Sequence, residues 1–370
     1  MGEAVVFGAL RDLAHGLLGR GEATVTVPPF DGALKPNQAL ERAEILFECA
    51  APEDLATDGA NVYLADGESL GRIEGNGVTT IREFDRPITA LACLPGGGIA
   101  VALNGREVRV YPDPTAANPG STFSGAGMRS INALAAAGRE VLYATEGSAT
   151  RDVGEWVWDL MERNHSGRVL RFDLNTKDTT VLAQGLHHAF GACTMDDGAL
   201  ISESWAHRLI AVAPSRARRI VLTHLPVYPS RLSPARGGGW WLTAFIARTQ
   251  LVEFVLREPA YRKRMMAEID PQYWIAPRLS SGNSFKEPMQ GAHLKTMGIV
   301  KPWAPPRSYG LVIRLDAQCK PVFSLHSRVD GSNHGIVSAV ESGDWLYMIA
   351  KGPRRVLRLP TDGLAKEFAA

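Results

Sequence analysis

Apolar and polar positions alternate in short runs along most of the chain, and each run is introduced by a turn rich in Gly, Asp or Pro. The phrase recurs as Asp58-Gly-Ala-Asn-Val-Tyr-Leu-Ala65, Pro95-Gly-Gly-Gly-Ile-Ala-Val-Ala102, Ala137-Gly-Arg-Glu-Val-Leu-Tyr-Ala144, Asp196-Asp-Gly-Ala-Leu-Ile-Ser202, Arg236-Gly-Gly-Gly-Trp-Trp-Leu-Thr243 and Ser342-Gly-Asp-Trp-Leu-Tyr-Met-Ile349. A period of two marks half-buried strands, and the turn residues mark hairpins. Each copy reads as the hairpin between the first two strands of a four-stranded sheet. Internal repetition outranks single motifs in fixing a fold. Six such sheets predict an all-β, six-bladed β-propeller.

Strand counting sets the domain boundaries. Only one strand-like run, Arg355-Val-Leu-Arg-Leu359, follows the sixth hairpin, so the last blade lacks a strand. Glu44-Ile-Leu-Phe-Glu-Cys49 precedes the first hairpin and is expected to supply it, closing the ring and removing two open sheet edges. Residues 1–43 are then an N-terminal helix and linker, and residues 44–370 the propeller. The helix is expected from Val5, Val6, Phe7, Leu10, Leu13, Leu17 and Leu18, which recur at helical spacing. Two insertions interrupt the repeat. One is Thr150–Ser166, with Trp156 and Trp158; the other spans about 246–308. The latter carries helical periodicity over 251–266, with Pro259 expected to kink or split the helix. Its aromatic and Met content suits a lid over a site.

Composition narrows the function classes. The 370 residues carry a net charge of +1, with 45% hydrophobic and 21% charged residues. That balance fits a globular protein and offers no field for nucleic acid. No apolar run reaches the roughly 20 residues of a membrane span. Peripheral contact of the N-terminal helix with a membrane is the minor alternative to its packing on the propeller. Cys49, Cys93, Cys193 and Cys319 have no metal-ligand spacing and read as reduced thiols. With no basic export signal in the first residues, a cytoplasmic location is expected.

Ordered phrases then resemble a known family. Ala51-Pro-Glu-Asp-Leu-Ala56, Ser130-Ile-Asn-Ala-Leu134, Arg168-Val-Leu-Arg-Phe-Asp173, Leu225-Pro-Val-Tyr-Pro229 and Phe254 to Met266 follow the order found in the strictosidine synthase-like proteins, relatives of paraoxonases and gluconolactonases. The resemblance covers roughly 45–360. It implies the same propeller and hydrolysis of lactones or related esters, with calcium in the central channel. Its metal positions map to Glu53 and Asn132, which keep oxygen ligands, and to Phe190 and the Ser230-Arg231 pair, which do not. Calcium takes about six to eight oxygens. The expectation is therefore no cofactor, with calcium at Glu53 and Asn132 as the alternative. Arg231 is expected either to pair with Glu53 in place of the metal or to hold an anionic group of a small-molecule substrate. The glutamate of the amine-condensing plant branch falls at Val337, which argues against strictosidine synthesis.

The resulting expectation is a small-molecule hydrolase acting in the central channel on a lactone, ester or related cyclic substrate. A metal-free lyase, isomerase or condensing enzyme, or a non-catalytic ligand-binding propeller, is the alternative. Glu53, His188, Arg231 and His334 are the catalytic candidates: the histidines precede inner strands and supply a general base, and Arg231 stabilises negative charge. Asn132, Phe190, Ser230 and Trp241 are the candidate substrate-binding residues. Glu203 is a carboxylate at a blade end, read evenly as structural or chemical. No Gly-x-Ser-x-Gly elbow is present, so serine catalysis receives no support.

Overall fold

The computed structural model describes residues 27–125, 127–279, 308–327 and 332–368, and the backbone of two short strands at Lys295–Thr296 and Ile299–Val300. The expected leader helix, and residues 280–307 of the second insertion apart from those two strands, lie outside the described residues.

Six four-stranded antiparallel sheets surround a central channel. The innermost strands are Pro52–Thr57, Ile88–Cys93, Ile131–Ala137, Ala189–Met195, Val227–Pro234 and Ile336–Ser342. Each of the six repeated phrases forms the turn into the second strand of its blade. The sixth blade takes its fourth strand from Glu44–Glu48, which pairs antiparallel with Arg355–Pro360 from Glu44 opposite Arg358 to Glu48 opposite Arg355. The first and last described strands of the propeller thus pair and clasp the ring, with Glu44–Glu48 as the outer strand of the sixth blade. Residues 30–42 strap the fifth blade. The Asn37 amide donates to the Ser324 carbonyl (2.7 Å), and its oxygen accepts from His326 N (3.0 Å). Alternating apolar side chains fill the clefts between adjacent blades, for example Leu142, Leu170 and Phe172 against Ala90, Ala100 and Val108.

Both insertions leave the propeller between the second and third strands of a blade, so both project from the face opposite the hairpins. Helix α1 (Trp156–Glu162) belongs to the third blade; α2 (Gln250–Arg257) and α3 (Pro259–Glu268) belong to the fifth. Pro259 splits the helical stretch and occupies the first turn of α3, where its missing N–H leaves no bond unmade. Thr249 caps α2 through its hydroxyl, which accepts from Val252 N at 3.1 Å. All four cysteines are free thiols.

One irregularity repeats in every blade. Pairing between the first and second strands breaks register near the start of the inner strand, between Pro52 and Asp54, Ile88 and Ala90, Ile131 and Ala133, Ala189 and Ala192, Pro229 and Leu232, and Ile336 and Ser338. A bulge leaves its extra residue unpaired and re-aims it. The bulged residues are Glu53, Thr89, Asn132, Phe190 with Gly191, Ser230 with Arg231, and Val337. These form one ring at the channel waist, and they include every position the family resemblance singled out.

Candidate functional site at the channel waist

Bulge carbonyls are buried and need donors. Three receive them from a hydroxyl on the second strand of the preceding blade. Thr145 Oγ1 donates to Phe190 O (2.5 Å), Ser202 Oγ to Ser230 O (2.5 Å), and Thr243 Oγ1 lies 3.1 Å from Val337 O. The carbonyls of blades one and two are served by Arg231 instead. Its Nη1 donates to Glu53 O (2.9 Å) and its Nη2 to Thr89 O (2.8 Å). The same guanidinium lies 3.3 Å from Glu53 Oε1 and 3.1 Å from Asp54 Oδ1. Lys351 Nζ pairs with the other Glu53 oxygen. Asp54 also accepts from Leu55 N (2.9 Å), Leu91 N (2.9 Å) and Ser338 Oγ (2.8 Å).

The waist therefore holds two cations against two carboxylates. Burial would raise the Glu53 pKa, but Lys351 and Arg231 outweigh it and hold the carboxyl below its ordinary range. Burial prevails at Asp54 and raises its pKa against the pull of Arg231. Of the two roles expected for Arg231, the structure realises the ion pair with Glu53; its charge is already matched within the protein. Phe190 lies under the guanidinium, with Cζ 5.3 Å from the ring centroid.

This donor set does not fit a divalent cation. A guanidinium stands among the acidic groups, Glu53 is shared between two cations, and the Asn132 amide nitrogen donates to Ala189 O at 3.1 Å. No cluster of three His, Cys, Asp or Glu side chains suited to a metal occurs among the described residues. Calcium and a chelator are both expected to leave the unfolding temperature unchanged within about 1 °C. A chelator-induced fall of several degrees would mean that the cluster rearranges to admit the ion.

Above Phe190, on the insertion face, lies a second polar group. His188 Nδ1 is 3.2 Å from Asp159 Oδ2, and Trp205 Nε1 donates to the same oxygen at 2.8 Å. His188 Nε2 faces Asn132 Nδ2 at 3.4 Å. Because that amide nitrogen already donates to a carbonyl, the network assigns Nε2 as acceptor and Nδ1–H as donor to Asp159. The imidazole stacks on Trp205, with centroids 4.3 Å apart and 27° between planes. Trp156, Phe190, Phe245 and Tyr228 complete the aromatic surround. Gly147 permits the arrangement, since a Cβ there would fall 2.6 Å from His188 Cε1. Burial would raise the Asp159 pKa, yet hydrogen bonding and attraction from His188, with Ser148 and Trp205, hold it at about 2. A carboxyl depressed from about 3.8 to about 2 adds stability that is fully present above about pH 4 and is lost as the pH falls through that window. Urea midpoints are expected to drop between about pH 4 and pH 2, and Asp159→Asn to flatten that drop.

The expected site residues thus divide. Glu53 and Arg231 meet directly, Phe190 lies between Arg231 and His188, and Asn132 touches His188. Ser230 does not face the channel: its Oγ lies 2.6 Å from Thr243 Oγ1 inside the blade, because the bulge aims Arg231 inward instead. Trp241, expected in the pocket, packs edge-on to Phe323 in the cleft of blades five and six and donates to Glu341 Oε2 at 2.7 Å. It stands near the hairpin end of its strand, and four residues at about 3.3 Å each separate it from Phe245. The His334 ring lies against Gly352, where a Cβ would clash with it. Glu203 is structural: it accepts from His187 N (2.7 Å) and Arg208 Nε (2.6 Å). Glu146 makes the equivalent bonds to Arg129 N and Arg168 Nε one blade earlier. Asp159, Asp54 and Lys351 were missed by sequence reasoning. Asp159 did leave a signal: it falls with Trp156 and Leu160 at positions i, i+3 and i+4 of α1, a carboxylate on an apolar helix face.

Comparison with known proteins agrees with this architecture. The family model described as strictosidine synthase matches residues 132–211. Adipocyte plasma membrane-associated protein from Salmo salar is 27% identical over 271 residues, covering 64% of this chain and 65% of that protein. The Rattus norvegicus protein of that name is 26% identical over 307 residues, covering 70% of this chain and 80% of its own length. The chain thus matches just under two thirds of the salmon relative. Strictosidine synthase-like protein 6 of Arabidopsis thaliana is 26% identical over 142 residues, 36% of each chain. Among solved structures, a gluconolactonase from Xanthomonas campestris superposes with a TM-score of 0.53 at 11% identity, covering 90% of this chain and 98% of that one. A putative gluconolactonase gives 0.52 at 10% identity, covering 86% and 92%. At these identities the structures share the fold. Among the described residues, no helix is long and apolar enough to cross a membrane.

Proposed function

We propose that this chain, which is similar to the strictosidine synthase-like six-bladed propellers, is a metal-independent hydrolase of small neutral lactones or esters, with His188 as general base. The observation that carries this reading is the Asp159–His188–Asn132 chain of hydrogen bonds, which leaves the Nε2 lone pair with one long contact of 3.4 Å. A water placed at Nε2 gives up a proton to the imidazole as its oxygen attacks the substrate carbonyl. Asp159 stabilises the imidazolium, which returns the proton to the leaving alkoxide, so ester and water become acid and alcohol. The surround of Trp156, Trp205, Phe190 and Phe245 favours an apolar ring or acyl group and strengthens electrostatic interactions by excluding water. His188 is only 2% exposed, so turnover requires α1 to draw back from Trp205. The matched charges at the waist favour a neutral substrate over the anionic one first expected from Arg231.

The test is turnover of a panel of monocyclic lactones and aryl esters by chelator-treated protein, beside its His188→Ala variant. Turnover that survives the chelator and vanishes with His188 supports the assignment; turnover that needs calcium, or persists without His188, refutes it. One observation favours a second reading, a non-catalytic ligand-binding propeller: Arg231, Glu53 and Asp54 close the channel waist with mutually matched groups. Ligand binding without turnover across the panel would select it.

A further inference from the structure

On the hairpin face, below the Arg231 cluster, the channel opens into a cavity of about 450 Å³, within the range of small-molecule sites. It is lined by Asp54, Arg231, Ser233, Ser338, Cys93 and Cys193, and by short apolar side chains of the inner strands. His188 and Asp159 are not among its lining residues. Among the described residues, two buried donors at this cavity have no hydrogen-bond partner: Ser233 Oγ, on a residue 7% exposed, and Arg231 Nε, whose 3.1 Å ion contact with Asp54 lacks hydrogen-bond direction. A buried donor left unpaired is unfavourable, and a ligand acceptor relieves it. The ligand should carry no charge, because Arg231 and Lys351 already match Glu53 and Asp54, and of the other charged lining residues Arg236 pairs with Asp344 and Glu341 accepts from Arg236 N and Trp241 Nε1, so a further buried charge would lack a counter-ion.

We propose that this cavity is a second ligand site, distinct from the His188 centre, for a compact neutral molecule whose carbonyl or ether oxygen accepts from Ser233 and whose hydrocarbon body fills the apolar wall. The proposal goes beyond the hydrolase reading and stands apart from it, since the Arg231 cluster separates the two sites.

Cyclohexanone and δ-valerolactone serve as neutral probes, with valerate as the charged control and methylcyclohexane as the apolar one. Binding is followed by ligand-observed NMR, and its place by maleimide labelling of Cys93, with Cys49, outside the cavity, as internal reference. The expected result is saturable binding of the neutral carbonyl probes that slows Cys93 labelling and leaves Cys49 unchanged. Ser233→Ala should weaken it roughly three- to tenfold, as loss of one hydrogen bond implies, while His188→Ala leaves it intact. Absence of Cys93 protection, equal protection by methylcyclohexane or valerate, or unchanged affinity in Ser233→Ala would overturn the proposal. Loss of binding in His188→Ala would do the same, by assigning the probe to the other centre. Binding that persists without any lactone turnover would uphold this site while refuting the hydrolase reading.

Discussion

Arg231→Met is expected to lower the free energy of unfolding by about 3–5 kcal/mol, the usual effect of removing one partner from a buried ion pair. The guanidinium, 5% exposed as a residue, is the counter-charge for Asp54, shares Glu53 with Lys351, and is the donor for the bulge carbonyls of blades one and two. Methionine keeps much of the volume but leaves the buried Asp54 carboxylate without its counter-charge and the Glu53 and Thr89 carbonyls without this donor. Urea unfolding measures the loss. A second substitution, Asp54→Asn, removes the orphaned charge and should recover at least about 1 kcal/mol relative to the sum of the single changes, because the residues touch. A loss below about 1 kcal/mol in the single variant would show that Arg231 does not hold the waist together, and would reopen its assignment to ligand binding.

The second large effect is on turnover. Once a lactone or ester substrate is found, His188→Ala should reduce kcat by about 10²- to 10⁴-fold, the contribution typical of a positioned general base. Urea unfolding is measured beside it, since the imidazole also bonds the buried Asp159 and packs on Trp205 and Phe190. Asp159→Asn tests the positioning role separately. An amide in that place no longer stabilises the imidazolium formed as the proton moves, so kcat should fall while KM stays unchanged. A merely structural Asp159 would change KM and stability along with kcat. If His188→Ala retains more than about a tenth of the activity, the base lies elsewhere.

Much of this arrangement is legible before any coordinates. The six hairpins rest on local rules, the period of two and the turn residues, and these survive whatever the rest of the chain does. The position of Arg231 against Glu53 follows from knowing that both begin inner strands of one ring. Ser230 and Trp241 illustrate where such reasoning stops. A bulge decides which of two neighbours faces the channel, and it shifts the alternation by one residue. Trp241 has the right chemistry for a pocket wall, but its place along the strand puts it at the hairpin end. Asp159 lies in an insertion outside the repeat, so no register argument could bring it to His188.

Spacing along the chain was enough for the number of blades, the ring of inner-strand starts and two candidate histidines, His188 and His334, because each depends on one chain segment. Tertiary structure decided the partners. It brought α1 of the third blade over the fourth to give His188 its carboxylate, and it placed Arg231 of the fifth blade across the channel onto blades one and two. Those contacts join residues 29 and 178 positions apart. Closure of the circular array brings Arg231 within reach of its partners, since an inner strand meets the far side of the channel only after every blade is in place, whereas His188 and Asp159 meet between adjacent blades.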